Sequence, residues 1–123
     1  MLLKDFYKII SIENTAENKY LVLILINENH DVFKGHFPDN PIMPGVCMMQ
    51  IIKELTEQIS ESSLFMQSLS NAKFMALINP DKTPELRLEL DVTITDEDLV
   101  KVKNATFFNE TLALKLSGVY KRI

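Results

Sequence analysis

The sequence predicts an α+β domain in which about six mainly antiparallel strands pack on one central helix. Three observations carry this. Apolar residues alternate with polar ones at Leu86, Leu88, Leu90, Val92 and Ile94, and again at Leu112, Leu114, Leu116 and Tyr120, the period-two signature of half-buried strands. One segment, from Pro44 to about Ser60, instead places Val46, Met49, Ile51, Ile52, Leu55 and Ile59 at helical spacing. Between these regimes, residues 35–45 hold two of the three glycines (Gly35, Gly45) and three of the five prolines (Pro38, Pro41, Pro44). So dense a set of backbone-restricting residues excludes helix and central strand, leaving a loop of fixed shape.

Taken in order, strands are expected at about 6–13 and 19–27, joined by a polar turn from Asn14 to Asn18. The rigid loop follows. Pro44 suits the first turn of the next helix, where its missing N–H costs nothing. At 1.5 Å per residue that helix is roughly 25 Å long. Its first half is almost wholly apolar and should be buried, whereas the second half, with Lys53, Glu54, Glu57 and Gln58, should reach the surface. Strands at about 70–79, 86–94, 98–108 and 112–120 complete the plan, with turns at Asn79–Pro84 and Thr95–Asp98 and a bulge marked by Gly118. Connections this short make neighbouring strands antiparallel.

Composition narrows the function. The 123 residues form a single domain, 46% hydrophobic and 24% charged, an ordinary globular balance. A net charge of −4 argues against a nucleic-acid binder that relies on overall charge. The longest apolar runs, such as Tyr20 to Ile26, fall far short of the roughly 20 residues a membrane span needs. Met1-Leu2-Leu3-Lys4-Asp5 lacks the charged-then-apolar order of a secretory signal. The lone cysteine, Cys47, forms neither an intrachain disulfide nor a thiolate cluster, and a reducing, cytoplasmic setting is expected. Two histidines without an acidic cluster at ligand spacing give no metal site, and no cofactor is expected.

The run Gly35-His36-Phe37-Pro38-Asp39-Asn40-Pro41-Ile42-Met43-Pro44-Gly45-Val46 resembles the signature of the β-hydroxyacyl-acyl carrier protein dehydratases, enzymes of the hot-dog fold, in which an antiparallel sheet wraps a central helix. Asn71-Ala72-Lys73-Phe74, then Pro80 and Leu86-Arg87-Leu88-Glu89, resemble the family's third and fourth strands. The turn after Pro80 departs from the family's Pro-Gly-Asp and is longer by about two residues. The resemblance covers residues 28–60 and 70–95, and the ends by pattern only.

The resemblance implies removal of water from a 3-hydroxyacyl thioester carried by an acyl carrier protein, giving the trans-2-enoyl thioester. His36 takes the place of the catalytic histidine, an imidazole able to accept and return a proton near neutral pH. Gly45 takes that of the backbone N–H donor to the thioester carbonyl, at the positive end of the helix dipole. The second catalytic group in the family is a Glu or Asp five residues after this glycine, and here that position is Gln50. An amide releases no proton, so Gln50 is no general acid, but it can donate a hydrogen bond to the C3 hydroxyl. A dehydratase of reduced or specialised activity is expected, in which a syn elimination lets His36 both take the C2 proton and hand one to the departing hydroxyl. Glu54, one helical turn on, reads as a surface residue, Asp39 as a turn residue, Cys47 as a small hydrophobe and His30 as a surface or strand-end residue.

A long acyl chain needs a narrow apolar tunnel, and Phe33, Phe37, Met43, Pro44, Val46, Met49 and Phe74 are the candidates to line it. An acidic carrier protein needs a local basic patch, for which Lys34, Lys73, Lys121 and Arg122 are available. The family also implies a homodimer or an assembly of dimers, and Gln50 leaves room for a heterodimer whose partner supplies the missing carboxylate. Two rivals stand beside the dehydratase: a non-catalytic acyl-binding partner subunit and a hot-dog thioesterase.

Overall fold

The computed structural model describes residues 5–34, 42–95 and 97–123, so most of the rigid loop expected at 35–45 lies outside the described residues. The elements are β1 (Tyr7–Ala16), β2 (Lys19–Ile26), a short α1 (Asp31–Lys34), α2 (Gly45–Ser60), β3 (Leu64–Phe74), β4 (Glu85–Ile94), β5 (Leu99–Phe108) and β6 (Thr111–Arg122). The strands form one antiparallel sheet in the order β1-β2-β4-β5-β6-β3, leaving β1 and β3 as its edges.

Register brings the apolar members of each alternation into rows on one face. Val22 lies opposite Leu88 and Ile24 opposite Leu86, Val92 opposite Val102, and Val100 opposite Tyr120. These side chains are buried, and Met48, Ile51, Ile52 and Leu55 of α2 fill the space against them. The opposite face carries Arg87, Glu89, Asp91, Lys101 and Lys103, the other half of the same alternation. Two buried polar side chains on β5 are satisfied locally. Thr106 Oγ1 donates to Asn104 Oδ1 at 2.9 Å, and Asn104 Nδ2 donates to the Glu89 carbonyl at 3.2 Å.

Several expectations change. The third strand runs over Leu64–Phe74 instead of 70–79. The alternation of Phe74, Ala76 and Ile78 imitates a strand, but beyond Phe74 the chain is tied at separate points: the Met75 N–H donates to the Ala113 carbonyl, and the Ile78 carbonyl accepts from the Met43 N–H. The true strand starts earlier because Glu57 receives the chain leaving the helix, its Oε2 accepting from the Leu64 N–H at 2.9 Å. The turn expected from Asn14 shrinks, because β1 runs on to Ala16 and Asn18 takes a left-handed φ of 63°. Pro44 is the residue before the helix, in extended conformation, and α1 adds a turn the periodicity did not announce.

Gly118 is not itself the bulge. It pairs regularly with Val102, and the irregularities lie on β3, on either side of its partner Leu69. A Cβ at 118 would meet the Ser68 carbonyl oxygen at 2.9 Å, so the glycine admits a close backbone approach that the bulged edge strand requires. The second half of α2 also does not reach the surface as expected: Glu54, Leu55, Thr56 and Ser60 are all buried, and Gln58 alone is exposed among residues 47–60.

Leu55 is fully buried between α2 and the sheet. Leu55→Ala is expected to destabilise the domain by about 2–5 kcal/mol, the range for cavity-forming core truncations, as read from the urea midpoint. A loss below about 1 kcal/mol would contradict this packing.

Candidate active site

Helix α2 opens directly on the end of the glycine- and proline-rich run. Its first amides lack intrahelical acceptors by construction, and no side chain caps this end among the described residues. The first hydrogen bonds back are from the Cys47 and Met48 N–H groups to the Pro44 carbonyl. The amides of Gly45 and Val46 therefore present donors at the positive end of the helix dipole. The Phe74 ring covers Gly45, and a Cβ there would meet its Cζ at 3.0 Å. Lack of a side chain thus lets the ring of β3 lie against the helix end.

Five residues on, Gln50 is half-buried and its Nε2 donates to Glu54 Oε2 at 2.9 Å. Glu54 Oε1 accepts from the Tyr7 hydroxyl at 2.8 Å. The expectation that Glu54 is a surface residue is therefore overturned: only 9% of it is exposed, because β1 brings Tyr7 onto the helix at this turn. Tyr7 and the role of Glu54 were missed in the sequence. The i, i+4 spacing of Gln50 and Glu54 places them on one helix face, but no local pattern ties a tyrosine 47 residues away to them.

The other expected site residues fall into three groups. His36, Phe37 and Asp39 lie outside the described residues. Phe33 and Met43 are buried in the core, Phe33 stacked on Phe6 with ring centroids 5.3 Å apart. Pro44 and Met49 are half-buried, while Val46 (74%) and Phe74 (53%) stand exposed beside the helix opening. Cys47 is buried, and burial pushes its thiol up from the ordinary range, the opposite of an activated nucleophile. His30 caps α1, its Nδ1 accepting from the Val32 N–H at 3.1 Å, and its ring meets Phe6 edge-on.

The chain matches the family model described as ApeI-like, ApeI dehydratase, over residues 12–108. It belongs to the ApeI-like dehydratase family. The 3-hydroxyacyl-[acyl-carrier-protein] dehydratase FabZ of Legionella pneumophila is 32% identical over 128 aligned positions, spanning 91% of this chain and 83% of that enzyme. FabZ of Caulobacter sp. (strain K31) is 29% identical over 69% of the chain. In structure, the dehydratase heterocomplex ApeI:P from Xenorhabdus doucetiae superposes with a TM-score of 0.72 at 19% identity, covering 94% of this chain and 97% of that one. The HP0420 homologue from Helicobacter felis gives 0.68 at 10% identity, covering 98% and 91%. These likenesses confirm the hot-dog fold, and the family places the chain among the lyases. This ApeI-like dehydratase contains no helix, among its described residues, long and apolar enough to cross a membrane.

Two tyrosines of this dehydratase are held in the phenol form. Burial, the hydrogen bond to Glu54 and the charges of Glu54 and Glu57 all push Tyr7 upward, and burial with the Glu57 charge pushes Tyr120 up to about 12. A folded-state value above the unfolded value of about 10 means that this stabilisation is complete below roughly pH 10 and is lost as pH rises from there through the folded value. The urea midpoint is expected to fall between about pH 9 and pH 11, and Tyr120→Phe should flatten part of that fall. An unchanged slope in the variant would contradict the assignment.

Proposed function

We propose that the chain removes water from a 3-hydroxyacyl group held as a thioester on an acyl carrier protein, leaving the trans-2-enoyl thioester, in the cytoplasm and in fatty acid or related polyene and lipid synthesis. The observation that carries this reading is the opening of α2: amide donors at Gly45 and Val46 that find no acceptor among the described residues, directly after the His36-bearing run in sequence and one helical stretch before Gln50. The Gly45 N–H would polarise the thioester carbonyl, acidifying C2. His36 would take the C2 proton, the electron pair would form the C2–C3 double bond, and the C3 hydroxyl would leave as water after receiving a proton. The name of the Legionella pneumophila relative supports the carrier-bound substrate. Exposed Val46 and Phe74, with half-buried Pro44 and Met49, offer apolar surface for an acyl chain at the helix opening.

The reading includes an acidic carrier and a second copy of the chain. Lys73 and Lys121, expected in a basic patch, are exposed, and Lys101, Lys103 and Lys115 join them at outward register positions of β3, β5 and β6. Lys73 lies directly opposite Lys115. The Arg122 guanidinium instead reaches Asp98, Nη1 to Oδ1 at 3.9 Å, and the Lys34 side chain lies outside the described residues. A homodimer is supported by edge strand β3. Leu69 (41% exposed) and Phe74 lie opposite Gly118 and Leu114, in register with the helix-facing rows, yet both stand exposed.

Gln50 favours a second reading, a partner subunit that binds acyl chains and leaves the chemistry to another protomer. The neighbouring ApeI:P structure is itself a heterocomplex, which supports keeping that reading in view.

Mass-spectrometric turnover of 3-hydroxyacyl-carrier protein separates the two. The wild type is expected to dehydrate the substrate, and His36→Ala to lose at least about 10²-fold. A folded wild type inert at every chain length would favour the partner subunit. For the assembly, Leu69→Lys is expected to shift a dimer to monomers in analytical ultracentrifugation, and a dimer of unchanged affinity would remove β3 from the interface.

A further inference from the structure

The amide of Gln50 has two faces, an acceptor oxygen and a donor NH₂, and which one meets the substrate decides what the residue can do. Here Nε2 is turned onto the Glu54 carboxylate, and no described residue engages Oε1. Reversing the amide would set its oxygen against a carboxylate oxygen, lone pairs against lone pairs. The carboxylate is fixed in turn at its other oxygen by the Tyr7 hydroxyl. Tyr7 remains an O–H donor because burial and the adjacent carboxylates resist its ionisation. The chain of contacts therefore runs one way: Tyr7 donates to Glu54, Gln50 donates to Glu54, and the Gln50 oxygen is left facing away from the pair. Glu54 also lacks room for another task, since it is nearly enclosed and both of its oxygens are occupied.

We propose that Glu54, held by Tyr7, is a positioning residue that keeps Gln50 Nε2 turned onto itself and so leaves Oε1 as the face of the amide offered to substrate, so that Gln50 accepts the hydrogen bond of the C3 hydroxyl instead of donating one. This rests on the dehydratase reading above and refines it, because a donating Gln50 was the expectation from the sequence. The consequence is chemical. Gln50 holds the hydroxyl hydrogen and leaves the oxygen lone pairs open. The proton that His36 removes from C2 then passes from its imidazolium to that oxygen as the C3–O bond breaks. Water departs, the C2–C3 double bond is formed, and the neutral imidazole is restored. One histidine serves as base and acid, and no second titrating group is required.

The test is a double-mutant cycle on the full chain, with kcat and KM measured for dehydration of a 3-hydroxyacyl-carrier protein and folding checked by thermal melting. Glu54→Met and Gln50→Met keep side-chain length and remove the polar atoms. Each is expected to lower kcat roughly 10–100-fold, the cost of a misplaced contact in the transition state, with KM changed much less. The double variant should be no slower than Gln50→Met, because Glu54 acts through Gln50. Glu54→Gln, which retains one acceptor oxygen, should recover part of the loss, and it stands in if Glu54→Met fails to fold. Losses that multiply in the double variant, or a folded Glu54→Met with wild-type kcat, or a Glu54→Gln no faster than Glu54→Met, would overturn the positioning role while leaving the dehydratase intact. A folded wild type without turnover would overturn both, so the two failures are distinguishable.

Discussion

Helix α2 buries its apolar face against the sheet, and the candidate-site groups it carries, Gly45 and Gln50, are placed by that burial. Met48, Ile51, Ile52 and Leu55 share one buried cluster with the inward side chains of β2, β4, β5 and β6. Fully burying each such side chain contributes about 1.5–3 kcal/mol, so these positions anchor the helix against both sliding and rotation. Gly45 at its mouth and Gln50 on its second turn inherit that rigidity. A hydrogen-bonding group on a packed helix holds its place better than one on a loop, which is what selective recognition of a transition state requires.

Rigidity is obtained at the cost of burying polar atoms, and several of those on or beside α2 are met by a specific partner. Thr56 returns its hydroxyl to the Ile52 carbonyl at 2.7 Å. Glu57 accepts the Leu64 N–H and so couples the helix end to the start of β3. Glu54 is the demanding case, because a nearly enclosed carboxylate without donors would be several kcal/mol unfavourable. Two donors from different elements, Tyr7 on β1 and Gln50 on the same helix, resolve it. The same arrangement links edge strand β1 to the candidate site, so a strand far from the signature run has a part in orienting the amide.

At the other edge, β3 shows a different incompleteness. Its bulges flank the pairing with Gly118, and its apolar side chains Leu69 and Phe74 stand exposed. Phe74 lies against Gly45, the residue that opens α2, whereas Leu69 lies beside Gly118.

Much of this was legible in one dimension. The alternations of β4 and β6, the bounds of α2 and the signature run followed from spacing, because side chains on regular elements meet solvent and core at fixed periods. The start of β3 was hidden, since an edge strand has too little buried surface to impose alternation, and Phe74, Ala76 and Ile78 alternate without forming a ladder. The sequence by itself determined the fold class, the family and the presence of Gln50 where a carboxylate is usual. Only the tertiary structure decided that Glu54 is buried, that Tyr7 reaches it, and which end of the Gln50 amide it holds. The reason is physical: burial and hydrogen-bond direction depend on residues brought together across 47 positions of chain, and no local period encodes such a meeting.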